Sequence, residues 1–181
     1  MRVVGFAGYS GSGKTTLIEA VITLLCEAGE SVGVIKHAHH RFDIDQPGKD
    51  SWRHRKAGAR EVLVASDQRL ALMREYVEPH EPQVHALIAE LDPTLDWVLV
   101  EGFRGSELPK IEIWRAPSDD FVGQPARYPA DRQIQAICTD DPASLPVATA
   151  LPILDWASAP AVTAWLRHNR HRFGYTPPSP A

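Results

Sequence analysis

Apolar positions along this chain follow two periods. Val3-Val4-Gly5-Phe6-Ala7 and Trp97-Val98-Leu99-Val100 are near-continuous apolar runs. Such runs suit strands buried on both faces, as in a parallel sheet. Between them, Leu17, Val21, Leu24 and Leu25 recur at helical spacing within Lys14 to Ala28, and Gly29 ends that pattern. Ser31 to Lys36 predicts a second strand, so the chain opens with a strand–helix–strand unit and a right-handed crossover. Further strands are predicted at Asp96 to Glu101, Ile111 to Trp114, Gln133 to Cys138 and Leu151 to Leu154. Helices are predicted from Asp50 or Ser51 (as the cap) to about Ala57, over Pro82 to Leu91 with the proline in its first turn, and over Pro160 to His168.

One segment breaks the alternation. Glu61 to Ala65 and Leu70 to Met73 are both β-like and are separated only by Ser66-Asp67-Gln68-Arg69. The short polar gap predicts a hairpin, an insertion in an otherwise parallel fold. The expected architecture is a doubly wound, mostly parallel α/β sheet of the P-loop NTPase type with an inserted antiparallel hairpin at about 61–73. Its domain covers residues 1–168. The proline-rich, polar stretch 169–181 is expected to be a disordered tail.

Length and composition narrow the class. The chain has 181 residues and a formal net charge of −4. That suits a domain with a sizeable core and offers no global attraction to nucleic acid or an anionic membrane. Apolar runs fall short of a membrane span, and the start of the sequence lacks the pattern of a secretory signal. Of its two cysteines, Cys26 and Cys138, each lies in an apolar segment. They are expected to be buried thiols in a reducing, cytoplasmic compartment.

The chemistry concentrates at Gly8-Tyr9-Ser10-Gly11-Ser12-Gly13-Lys14-Thr15, which fits G-x-x-x-x-G-K-[ST] between a predicted strand and a predicted helix. Glycines let the backbone approach phosphate oxygens, and the loop amides and helix N-terminus face the anion. Lys14 is expected to reach the β- and γ-phosphates and the Thr15 hydroxyl to ligate Mg²⁺. A second acidic group near the metal belongs at the end of a neighbouring buried strand, where Glu101 stands before Gly102. Glu101 would hold the metal through water or position an attacking water; otherwise it is a strand-end cap. Lys14 and Glu101 are thus the candidate catalytic pair. No glutamine or arginine finger for hydrolysis stands out.

Two other segments are candidates. The long loop after the second strand carries His37, His39, His40, Asp43, Asp45, Gly48 and Lys49. Contact with an anionic ligand and binding of a transition metal are both open to these residue types. Asp140 ends a late strand and could read a guanine base, or simply cap a turn.

Several segments together resemble the molybdopterin-guanine dinucleotide biosynthesis protein B (MobB) family. They are residues 8–16, Ile-Lys-His-Ala-His-His at 35–40 and Asp-Ile-Asp-Gln-Pro-Gly-Lys-Asp-Ser at 43–51. Arg-Lys-Ala-Gly-Ala at 55–59, Val-Leu-Val-Ala-Ser at 62–66, Val-Glu-Gly-Phe at 100–103 and Pro-Lys-Ile-Glu at 109–112 complete the set. The His-rich loop and the run after it are the most specific part, and the resemblance spans about 2–167. It implies a cytoplasmic GTP-binding adaptor of molybdenum cofactor biosynthesis, partner to the guanylyltransferase that joins GMP to molybdopterin. It further implies slow or no GTPase activity and a homodimer built on the hairpin. By the same resemblance phosphate binding falls to Gly11, Gly13, Lys14, Thr15 and Thr16, and Mg²⁺ to Thr15 and Glu101. Residues 37–49 would face nucleotide phosphate or molybdopterin. Two alternatives from the residues stay open. One is a small-molecule kinase with Arg53, Arg55 and Arg60 in a lid; the other is a metallochaperone GTPase using His37, His39 and His40.

Overall fold

The computed structural model describes residues 1–38, 42–118 and 121–178. The chain forms two compact units: Met1–His37 with Gln83–Ala181, and Ala38–Pro82.

The first unit is built on β1 (Arg2–Ala7), β2 (Val32–Lys36), β5 (Trp97–Glu101), β6 (Lys110–Ile113), β7 (Ile134–Thr139) and β8 (Ile153–Asp155), with α1 (Lys14–Glu27), α3 (Val84–Ala89) and α4 (Ala159–His168) around them. Its six strands run in the order β2-β5-β1-β6-β7-β8, every pairing parallel. Alternate residues of each central strand enter different cores. Val4, Phe6, Trp97 and Leu99 pack with Leu17, Val21 and Leu25 of α1 and with Val162 and Leu166 of α4. Val3, Val98 and Val100 pack on the other side with Val84 and Ile88 of α3. Helices on both faces bury every residue of β5, which is why that strand reads as an unbroken apolar run. The expected doubly wound sheet is therefore the observed one.

Register decides where the site lies. Phe6 and Lys36 are both Cα partners of Glu101. The carboxyl ends of β1, β2 and β5 thus meet at one edge, the place where open parallel sheets hold their ligands.

The second unit contains α2 (Asp50–Lys56) and the antiparallel pair β3 (Glu61–Ala65) and β4 (Leu70–Arg74). The hairpin is where the sequence predicts it. The cap of α2 is different: Lys49 occupies the N-cap without a side-chain bond, so neither Asp50 nor Ser51 serves, and Asp50 instead opens the first turn, where a carboxylate suits the helix dipole.

Two further expectations are corrected. Cys138 is buried, and burial pushes its thiol pKa up to about 12, but Cys26 is exposed on α1. Leu25 takes the inward position, so its neighbour turns toward solvent. The stretch from Asn169 is not a loose tail as far as Tyr175. Arg170–Phe173 form a 3₁₀ turn, and Phe173 is fully buried with ring centroids 6.0 Å from Trp97 and 5.9 Å from Trp165. One large aromatic pays for the ordering of its neighbours. Residues 179–181 lie outside the described residues.

Candidate functional site

The phosphate loop leaves β1 and enters α1 through Gly13, whose φ of 82° lies in the left-handed region. A Cβ there would stand 2.6 Å from the ring of Trp156, whose indole N–H donates to the carbonyl of Ser12 at 3.1 Å. Glycine is thus demanded by both backbone angle and space. α1 begins with neither a side-chain cap nor an acidic residue in its first turn. The positive end of this 14-residue helix is thus open, as helix ends that bind anions are.

Lys14 folds back over this loop. Its ammonium donates to the carbonyl of Tyr9 at 2.5 Å and to Ser12 Oγ at 3.4 Å. Burial lowers the Lys14 pKa; Glu101 opposes that shift, while Lys36 and Arg104 add to it. A triphosphate would replace the weak loop acceptors with charged oxygens.

Glu101 is 6 % exposed. Its Oε1 accepts from the Thr15 hydroxyl at 2.9 Å and also pairs with the ammonium of Lys36. The two residues expected to attend Mg²⁺ are therefore in direct contact. Gly102 follows with φ 99°, and a Cβ there would meet that of His37 at 2.6 Å. Phe103 adopts φ 46°, the only non-glycine residue with positive φ among the described residues, and stacks on the His37 imidazole at 4.5 Å. This strained turn holds His37 beside the end of β5, where its backbone N–H donates to the Glu101 carbonyl at 2.9 Å.

Asp140 directly follows β7, one residue past the strand end. Its Oδ2 accepts from Arg115 Nε at 2.7 Å, and that guanidinium lies 4.6 Å from the centroid of Trp156. Through Arg115 and Trp156 the Asp140 region is tied to the phosphate loop. The turn after it is capped by Asp141, not Asp140.

Asp43, Asp45, Gly48 and Lys49 belong to the second unit. There Arg55 bonds Asp43 Oδ1 at 2.6 Å, Asp45 Oδ2 at 2.7 Å and Glu75 Oε1 at 3.0 Å. The three carboxylates hold the guanidinium firmly charged, and Arg55 in turn draws the Asp43 pKa down. Both aspartates thus serve an internal ion-pair hub, and Arg55 is not a free lid arginine of the kind the kinase alternative needs. His39 and His40 lie outside the described residues. Among the described residues no group of three or more His, Cys, Asp or Glu could hold a metal ion, and no helix is long and apolar enough to cross a membrane.

Ser10, Gly11, Ser12 and Thr16 complete the loop and first turn, with Ser12 buried and Ser10, Gly11 and Thr16 exposed. Sequence reasoning missed Lys36, Arg115 and Trp156. Only Lys36 carried a signal, a charge closing an apolar strand.

The family model described as molybdopterin guanine dinucleotide synthesis protein B matches residues 3–140. A molybdopterin-guanine dinucleotide biosynthesis adapter protein of Escherichia coli K12 is 44% identical over 147 residues, covering 81% of this chain and 82% of the relative. One of the same description from Haemophilus influenzae is 36% identical over 172 residues, covering 94% and 90%. A crystal structure of a MobB homologue from Bacillus stearothermophilus superposes with a TM-score of 0.66 at 27% identity, covering 94% of this chain and 99% of that one. Bacillus subtilis MobB, at 22% identity and a TM-score of 0.70, covers 97% and 100% and shares the fold.

Proposed function

This chain belongs to the molybdopterin guanine dinucleotide synthesis protein B family, and from that premise we propose that it is a GTP-binding adaptor of molybdenum cofactor biosynthesis. It binds Mg-GTP at the phosphate loop and assists a cytoplasmic guanylyltransferase that attaches GMP to molybdopterin. The observation that carries the nucleotide part is the contact of Thr15 with Glu101 beside an uncapped α1 N-terminus. Residues fitted to Mg²⁺ stand together, and the helix end is open to phosphate.

Thr15 would ligate the cation directly and Glu101 through water, while Lys14 swings from Tyr9 onto the β- and γ-phosphates. Mg²⁺, when bound, supplies charge neutralisation at those phosphates. Glu101 and Lys14 position the nucleotide, a role that suits delivery more than rapid turnover. Asp140, steadied by Arg115, would accept from the guanine ring N–H and amine. Two such chains would dimerise through the hairpin.

The test is calorimetric titration with Mg-GTP and Mg-ATP, followed by reconstitution of guanine-dinucleotide cofactor with the partner transferase. GTP preference and a raised yield of active molybdoenzyme are expected. Equal binding of ATP, or no effect on yield, would overturn the adaptor reading.

A further inference from the structure

A cavity of about 670 Å³ opens beside the phosphate loop, with Tyr9, Ser106, Glu107, Arg127, Asp131 and Arg132 in its wall. All belong to the first unit. Its size is that of a small-molecule site, which typically spans about 300–1,000 Å³. The acidic groups in the wall are already answered. Asp131 accepts from the buried ammonium of Lys110 at 3.2 Å, and Glu107 pairs with His85 at 2.6 Å. Glu112, behind the wall, spends both oxygens on the backbone N–H groups of Arg127 and Tyr128, each at 2.7 Å.

The basic groups are less fully answered: the Glu112 carboxylate is a charged neighbour of Arg127 but forms no ion pair with it. Arg127 donates from Nη2 to the carbonyl of Arg104 at 3.3 Å, while its Nε is buried with no hydrogen-bond partner. That Nε is closed to solvent, so a ligand in the cavity would meet the Nη side of the guanidinium. Neither Arg127 nor Arg132 bonds a carboxylate among the described residues. The wall therefore presents two guanidinium groups with capacity for an oxyanion, and the guanidinium fork fits phosphate bidentately. Tyr9 contributes a ring already faced by the Arg104 guanidinium at 5.2 Å. Because Tyr9 belongs to the phosphate loop, one residue borders both places.

We infer that this cavity binds a second ligand, a phosphate monoester, held by Arg127 and Arg132 while the nucleotide occupies the phosphate loop. The choice of a pterin as its organic part rests on the proposed function; the oxyanion site rests on the cavity alone. The arrangement sets a phosphorylated small molecule and the triphosphate on either side of Tyr9.

The experiment uses the full chain and the fluorescence of 6-hydroxymethylpterin monophosphate, with unesterified 6-hydroxymethylpterin as control, each titrated with and without saturating Mg-GTP. The ester is expected to bind in both conditions and the unesterified pterin about tenfold or more weaker, as loss of charge-assisted hydrogen bonds predicts. Arg132→Glu, on an exposed side chain, and Arg127→Gln should each weaken the ester by about tenfold without changing GTP affinity. No binding of the ester, competition by GTP, equal binding of the unesterified pterin, or unchanged affinity in both variants would overturn the inference. Binding of the ester by a chain that fails to bind GTP would leave this cavity assignment standing and sink the nucleotide reading instead.

Discussion

The Thr15 hydroxyl donates to Glu101 Oε1 at 2.9 Å, joining the first turn of α1 to the end of β5 across a sequence separation of 86 residues. Parallel pairing of β1 with β5 makes that meeting possible. Replacing Glu101 by Gln keeps the shape and removes the charge that a cation needs. Mg²⁺-dependent GTP affinity should fall by roughly tenfold, about 1–2 kcal/mol, with Mg²⁺-free affinity little changed. Equal losses in the two titrations would make Glu101 a structural residue.

Lys14→Ala should remove most triphosphate affinity, about 1.5–3 kcal/mol as for a hydrogen bond to a charged group. Its present acceptors are the Tyr9 carbonyl and Ser12 Oγ, within its own loop. Little of the fold depends on it, so the thermal midpoint should stay within a few degrees. Calorimetry with GTP and a melting curve of the same sample decide the matter; undiminished affinity in a folded variant would refute it.

How much of this was legible in the sequence follows from the range of each interaction. The Gly8–Thr15 loop, the buried run Trp97–Val100 and the hairpin are local patterns, and each lies where its residues predict. Lys36 and Trp156 were not legible as site residues, because strand register and the end of β8 bring them to the loop from far along the chain. Asp43 and Asp45 look like ligands until Arg55, 10 and 12 residues away, claims both. Phe173 sits among prolines and arginines, a composition that reads as disorder when a single buried ring is not foreseen.

Asp96 supplies a pH signature. Its Oδ2 accepts from both the backbone N–H and the hydroxyl of Ser31, each at 2.9 Å. Those bonds, the backbone one first, lower its pKa, with Arg2 assisting. A group with a depressed folded pKa stabilises above its unfolded value and loses that contribution as pH falls through the folded pKa. Asp96→Ala should therefore be less stable than wild type near pH 7, and the gap should close in acid, below about pH 4. Chemical unfolding across pH 3–7 reads this directly; a gap independent of pH would rule out the carboxylate as its source.

The hairpin carries the final prediction. Leu63 faces Leu72 and Ala65 faces Leu70 across the antiparallel pair, so Leu63, Leu70 and Leu72 share one face of the ribbon. They are 59%, 39% and 65% exposed for Leu63, Leu72 and Leu70 respectively. Val62, on the opposite face, is buried, so register is fixed and the leucines cannot turn inward without exposing it. A two-stranded ribbon is marginal by itself, and unpaired edges beside an apolar face favour association. A second copy of the chain would cover both features, as the proposed dimer requires. Sedimentation at micromolar concentration should give a dimer for the wild type. Leu63→Glu with Leu72→Glu puts two like charges directly opposite each other on that face, at a cost to the buried interface far above their small effect on a solvated ribbon. The double variant should sediment as a monomer with unchanged GTP affinity. A wild-type monomer, or a double variant that remains dimeric, would move the interface elsewhere.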